Sequence, residues 1–227
     1  MTAGPASRSS RVWLFDLDNT LHNATPHIFP HINRSMTAYV ATALGLSLEE
    51  AGAVRMDYWQ RYGATLTGMM RRHGTEPGHF LRQTHHFPDL PGMLVFDRAL
   101  KTMLRRLPGR KIVFSNAPEH YAEAVLELMG VRPLFDSVYS IERLRFRPKP
   151  EIQGFLHLLK TERLPPSRCI MVEDSPANLQ TAKALGMKTV LVSRLAKVPA
   201  WVDLRLQSVL ELPHRVGKLL GNPRGKL

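Results

Sequence analysis

Five short apolar runs, rich in β-branched and aromatic residues, set the strongest limit on how this chain can fold: VWLFD (12–16), KIVFSN (111–116), SVYS (137–140), CIMVED (169–174) and KTVLVS (188–193). Most are separated by stretches whose apolar residues recur at helical spacing. Strands alternating with helices predict an α/β architecture, a parallel sheet covered on both faces. After the second run, Pro118 suits a first helical position, Glu119 and Glu123 favour the N-terminal half, and Gly130 marks a stop. PEIQGFLHLLK (150–160) places Ile152, Phe155, Leu156 and Leu159 on one face despite Gly154. ANLQTAKALG (177–186) does the same with Leu179, Ala182 and Leu185. These are predicted to be sheet-covering helices.

Residues 24–89 break the alternation. HINRSMTAYVATALGL, SLEEAGAVRMDYWQRYG and ATLTGMMRRHG read as successive helices, with a capping box at Ser47 to Glu50 and Gly45, Gly63 and Gly74 as punctuation. EPGHFLRQTHHFPDLPG then reads as turns, marked by Pro77, Pro88 and Pro91. The prediction is an all-helical insertion over 24–89, with the sheet built from 1–23 and 90–227.

A chain of 227 residues, 44% apolar and 22% charged, can bury a full core. The lone Cys169 excludes an internal disulfide and reads as a small core residue. The opening MTAGPASRSSR lacks the apolar run of a signal peptide, and no stretch approaches the roughly 20 apolar residues that span a bilayer. A cytoplasmic protein without a membrane partner is expected. The formal charge of +12 is scattered over pairs such as Arg71 and Arg72, Arg105 and Arg106, and the tail around Arg224 and Lys226. It favours a solvated basic surface, or one that draws in small phosphorylated compounds, over a nucleic-acid track.

The chemistry gathers where strands end. In an extended strand Asp16 and Asp18 face the same side, and two close carboxylates either share a proton or share a cation. A hard, oxygen-seeking ion such as Mg²⁺ fits. The second run ends in Ser115-Asn116, ahead of a helix N-terminus that suits an anion. After the third run come Arg147-Pro148-Lys149-Pro150, where prolines stiffen the backbone around one ammonium. The fourth ends in Glu173-Asp174-Ser175. Taken singly, each is an ordinary turn, helix cap, surface lysine or acid at a helix start. Together, at one sheet edge, they bind a metal and a phosphoryl group. The histidines at 22, 27 and 31, and at 79, 85 and 86, lack zinc-site spacing and read as solvated, with His22 and Asn23 near enough to the signature to line a pocket.

With DLDNT (16–20), FSNA (114–117), RPKP (147–150) and VEDSPANL (172–179) in this order, the chain resembles the haloacid dehalogenase-like superfamily, in the subclass whose helical cap follows the first strand. The resemblance implies a Rossmann-like three-layer core with an inserted all-helical cap. It implies an Mg²⁺-dependent phosphomonoester hydrolase in which Asp16 is the nucleophile forming an aspartyl-phosphate and Asp18 the general acid and base. Ser115 and Lys149 would hold phosphoryl oxygens, and Asp16, Asp18 (through its backbone carbonyl), Asp174 and Glu173 (through water) would serve the metal. Thr20 and Asn116 fall in the same motifs and are further candidate substrate contacts. Asp18 itself separates ester hydrolysis from halide displacement, which needs no protonated leaving group.

YWQRYGATLTGMM (58–70) and LELPHRV (210–216) are similar to the pyrimidine 5'-nucleotidases of the superfamily, which implies a nucleoside monophosphate substrate. Tyr62, Arg71 and His73 are the candidate base or sugar contacts, with helix packing the alternative for Tyr62 and Arg71. Tyr58, Trp59, Met69 and Met70 read as packing residues. A sugar-phosphate phosphatase or phosphoglucomutase-like enzyme is the second reading, and a basic nucleic-acid- or partner-binding protein on the same scaffold is the third. Oligomeric state stays open.

Overall fold

The computed structural model describes residues 11–194 and 197–219. The opening segment and the tail around Arg224 and Lys226 lie outside the described residues. Six parallel strands form one sheet in the order β3-β2-β1-β4-β5-β6. They are β1 (Val12–Phe15), β2 (Arg110–Phe114), β3 (Ser137–Tyr139), β4 (Cys169–Glu173), β5 (Lys188–Val192) and β6 (Leu204–Leu206). Five match the apolar runs. The sixth is three residues long, LRL, and carries an arginine at its centre, so it offers no run to detect.

Side chains along β1 alternate between two cores, as the pleat requires. Trp13 and Phe15 pack with α6 (Leu100–Arg106), α7 (Glu119–Leu128) and α10 (Leu212–Leu219) on one face. Val12 and Leu14 pack with α8 (Ile152–Glu162) and α9 (Pro176–Ala184) on the other. Three layers result, each fully buried aromatic or aliphatic side chain stabilising the fold by about 1.5–3 kcal/mol relative to exposure. Cys169 is buried in the second core, as expected.

The helix details depart from the periodic reading in two places. Pro118 is the residue before α7 and not its first member. In α8, Phe155, Leu158 and Leu159 face the core, whereas Ile152 and Leu156 are 45% and 42% exposed. Gly154 explains the rotation: a Cβ there would stand 2.5 Å from the Arg147 carbonyl oxygen, so the helix presents its bare side to the Arg147–Pro150 loop.

Between β1 and α6 lie α1 (Ile28–Leu44), α2 (Leu48–Tyr62), α3 (Thr65–His73), α4 (Pro77–Thr84) and the single turn α5 (Leu90–Met93). The Ser47–Glu50 capping box forms, and Gly45, Gly63 and Gly74 end their helices at positive φ. The stretch read as turns holds α4: Pro77 takes the first helical position and the Glu76 carboxylate accepts from the Gly78 and His79 amides. Pro77 and Gly78 hid a helix because they sit at its start, where they are tolerated. These helices share a small core of Val40, Ala51, Leu66, Met69, Phe80 and Leu81 that also takes Ile141 and Phe146 from beyond β3. Helix α1 bridges both units, since Ile28 and Ile32 pack against the sheet core and Val40 packs in the helical one. Among the described residues no helix is long and apolar enough to cross a membrane.

Candidate active site

The strand order reverses on either side of β1, and in such sheets ligands bind beyond the carboxyl ends at that switch point. Asp16 follows β1 there, with its amide donating to Val172 on β4 at 2.9 Å. Asn19 turns the chain at a φ of 62°, a conformation asparagine tolerates, and its side-chain oxygen accepts from the Ala24 amide and the Thr25 hydroxyl. The turn holds both aspartates in place.

Lys149 is the centre of the site. Its ammonium, 2% exposed as a residue, donates to Asp16 Oδ1 and to Glu173 Oε2, both at 2.7 Å. Asn116 grips the lysine backbone in both directions, Nδ2 to the Lys149 carbonyl at 2.9 Å and Lys149 N–H to Oδ1 at 2.8 Å. Asn178 Nδ2 donates to Glu173 Oε2, and the Asp174 and Ser175 amides donate to Oε1. Glu173 thus orients the lysine and the loop. The Thr20 hydroxyl donates to Asp16 Oδ2 at 3.0 Å, which makes Thr20 a partner of that aspartate. Ser115 Oγ accepts from the Ala117 amide and retains its own O–H to donate.

Charge follows from this geometry. Burial, and then the neighbouring Glu173, push Asp16 up to about 7 from an ordinary 3.8. Glu173 and Asp174 are also raised, in both cases chiefly by burial. Burial opposes the charge on Lys149, but Asp16 and Glu173 outweigh it and hold the ammonium above its usual range. One ammonium stands among three carboxylates. The oxygens of Asp16, Glu173 and Asp174 lie within 4.8 Å of one another, an acidic set with an excess of negative charge that could hold a divalent cation.

Asp18 faces elsewhere. Its Oδ1 accepts from the Tyr121 hydroxyl at 2.6 Å and contacts His22 Nε2 at 2.9 Å, so its carboxylate is not one of the clustered three. Tyr121 was not legible as a site residue, because its partner is 103 positions away and no local motif links them. His22 and His85 are buried, not solvated, at 4% and 7% exposure, and burial lowers His85 to about 4.

A cavity of about 500 Å³ opens from these groups toward the helices. Asp16, Asp18, Ser115, Asn116, Lys149, Glu173 and Asp174 line its floor, and Arg55, Trp59, Thr65, Thr67, Phe80 and His85 stand among the residues of its upper wall. Tyr62, Arg71 and His73 are not among the lining residues. Tyr62 accepts from Arg72 Nε and lies beneath the Arg71 guanidinium, and His73 pairs with the Tyr58 hydroxyl, so these side chains satisfy one another on the outer side of α2 and α3. Trp59, read as a packing residue, is 55% exposed and lines the cavity. His22 and Asn23 line a separate hollow beside Asp174.

The sheet order and the buried lysine–carboxylate cluster define an α/β protein with an acidic crevice at its switch point. The haloacid dehalogenase-like hydrolase family model matches residues 11–186, and the chain belongs to that family. It is similar to phosphoglycolate phosphatase of Rhodospirillum rubrum, 30% identical over 195 residues that cover 79% of this chain and 78% of the relative. It is also similar to validoxylamine A 7'-phosphate phosphatase of Streptomyces hygroscopicus subsp. limoneus, 26% identical over 218 residues, 90% of this chain and 97% of that one. Among solved structures, a HAD phosphatase from Thermococcus onnurineus superposes with a TM-score of 0.65 at 21% identity, covering 95% of this chain and 99% of that chain. CbbY from Rhodobacter sphaeroides in complex with phosphate gives 0.64 at 19% identity, covering 89% and 96%. Both share the fold.

Proposed function

We propose that the protein is an Mg²⁺-dependent phosphomonoester hydrolase with the helical unit over 24–89 as its cap. The observation that carries this reading is the Lys149 ammonium bridging Asp16 and Glu173 beside Asp174 and Ser115. Asp16 attacks phosphorus; its bond to phosphorus forms as the bond to the leaving oxygen breaks, and Asp18 gives that oxygen its proton. Asp18 then takes a proton from water, which attacks the aspartyl-phosphate and frees Asp16 and inorganic phosphate. Lys149 and Ser115 donate to the phosphoryl oxygens, where charge spreads in the transition state. Tyr121 and His22 contact the Asp18 carboxylate and orient it for its two proton transfers.

Three carboxylates around one ammonium, Asp16 and Glu173 buried and Asp174 partly so, suit a divalent cation, and Asp16, Asp174 and the Asp18 backbone carbonyl would hold it, with Glu173 acting through water. When bound, Mg²⁺ supplies the positive charge that keeps Asp16 ionised and offsets the phosphoryl oxygens.

The substrate is a small phosphorylated metabolite. The names of the similar proteins, phosphoglycolate and validoxylamine 7'-phosphate phosphatases, support a sugar-like or small organic phosphate. The pyrimidine nucleotide reading loses Tyr62, Arg71 and His73 as base contacts and keeps one supporting observation, the Trp59 ring at the cavity wall. Phosphate release from sugar phosphates, phosphoglycolate, UMP and CMP, with Mg²⁺ and with EDTA, tests the reading. Metal-dependent release that Asp16→Asn abolishes in a folded protein is expected. Release from none of these compounds by the folded wild type would sink it.

A further inference from the structure

The upper half of the cavity is mostly apolar, with Phe29, Ile32, Met36 and Phe80 in its wall, yet it contains one guanidinium. Arg55 lies on α2 and is held from two sides: Nε donates to Thr37 Oγ1 at 3.1 Å and Nη1 to Asn33 Oδ1 at 3.0 Å, both on α1. Those partners are neutral. Among the described residues no carboxylate forms an ion pair with Arg55, whereas its helix neighbour Arg61 is paired with Asp57. Burial alone lowers its basicity, with no acidic neighbour acting in the other direction. A half-buried cation oriented by neutral acceptors, with donors left over, is a site prepared for an anion from outside.

The count of charges narrows the ligand. The other cation on the cavity, Lys149, is engaged by Asp16 and Glu173, and His85 is neutral near pH 7. One guanidinium with a partly used fork matches one negative charge and two acceptor oxygens, which describes a carboxylate better than a phosphate dianion. We propose that Arg55, positioned by Asn33 and Thr37, is the specificity-determining residue for a carboxylate on the leaving-group part of the substrate. The proposal rests on the phosphomonoesterase reading and names its substrate class: a phosphate ester of a small hydroxy acid. The ester phosphate sits on the floor between Asp16 and Ser115, and the carboxylate reaches the helical wall. Arg55 accordingly contributes to recognition of the leaving group and touches no reacting atom.

Matched pairs of esters test this: 2-phosphoglycolate against ethyl phosphate, and 3-phosphoglycerate against glycerol 3-phosphate, with fructose 1,6-bisphosphate, UMP and p-nitrophenyl phosphate alongside, all with Mg²⁺. The wild type is expected to favour the carboxylate member of each pair by about tenfold to a hundredfold in kcat/KM, the size of a lost charge-assisted hydrogen bond. Arg55→Gln collapses that ratio, Arg55→Lys keeps part of it, and Arg61→Gln, outside the cavity, keeps all of it. Thermal melting confirms that each variant is folded. Binding of each ester is read in parallel by tryptophan fluorescence, since Trp59 shares the cavity. Equal affinity for charged and neutral members, a preference for the bisphosphate or UMP, or an Arg55→Gln loss that leaves the ratio unchanged would overturn the proposal. Turnover of no ester at all, p-nitrophenyl phosphate included, would instead remove the hydrolase reading, and the paired affinities would still decide the role of Arg55.

Discussion

Asp18 owes its position to a tyrosine hydroxyl and an imidazole that reach it from different parts of the chain. Tyr121→Phe removes the shorter contact and leaves His22 in place. If Asp18 is the proposed acid and base, a fall in kcat of about tenfold with little change in KM is expected, because that carboxyl loses its orientation while the phosphoryl contacts persist. A KM effect alone would show that Tyr121 shapes the pocket instead. His85 gives a stability prediction. Burial holds it at about 4 against an ordinary 6.5, so the unfolded chain takes up a proton first as pH falls. The stability due to neutral His85 is complete above 6.5 and is lost as pH falls through 4, about 3 kcal/mol in all. Asp16, raised to about 7, works in the opposite sense, its contribution present below 3.8 and lost as pH rises through 7. Denaturant unfolding of wild type and His85→Gln between pH 4 and 7 separates the two. The difference between the proteins should shrink toward pH 4, and a constant difference would refute the assignment.

At the scale of elements, α8 and the lysine loop depend on each other through one missing side chain. Gly154→Ala gains about 1 kcal/mol of helix propensity. The added Cβ, however, meets a backbone oxygen at 2.5 Å, a contact no side-chain rotation can relieve. Overpacking of this kind costs about 1–3 kcal/mol, so the clash wins. A lower melting temperature and a weakened kcat are expected together, since the Arg147 carbonyl that must shift belongs to the loop carrying Lys149. A stabilised variant with full activity would show that the loop yields freely. Helix α2 offers a simpler case: Ser47→Ala removes the hydroxyl that accepts from the Glu50 amide, keeps the Ser47 N–H bond to the Glu50 carboxylate, and should cost about 1 kcal/mol, read by chemical denaturation.

For the whole molecule, a cation held by the acidic cluster would tie metal binding to stability and to pH. Mg²⁺ at about a hundred times its dissociation constant should stabilise the fold by about 2.7 kcal/mol, visible as a higher melting temperature that EDTA reverses. Its ligands must be ionised, and burial raises Asp16 to about 7, so Mg²⁺ affinity should fall as pH drops below 7. Affinity independent of pH over that range would place the ion away from Asp16. In the proposed reading one sheet edge supplies the phosphoryl chemistry, and the helices, with their own small core, supply the cavity wall that would meet the rest of the substrate.

Much of this was written locally in the chain. The alternation of apolar runs with helical stretches determined a parallel sheet, because strand and helix periods differ and short strands buried on both faces read as continuous apolar runs. The strand-end positions of Asp16, Ser115 and Glu173 determined a common edge, and DLDNT, FSNA, RPKP and VEDSPANL marked the family. Tertiary structure alone decided which side chains meet across the chain. It brought Tyr121 to Asp18, turned Tyr62, Arg71 and His73 away from the cavity, and buried His22 and His85. It also left Arg55 facing the cavity with neutral partners, since helix phase and crossing geometry decide which side of α2 looks inward, and both polar and apolar residues occupy each side of that helix.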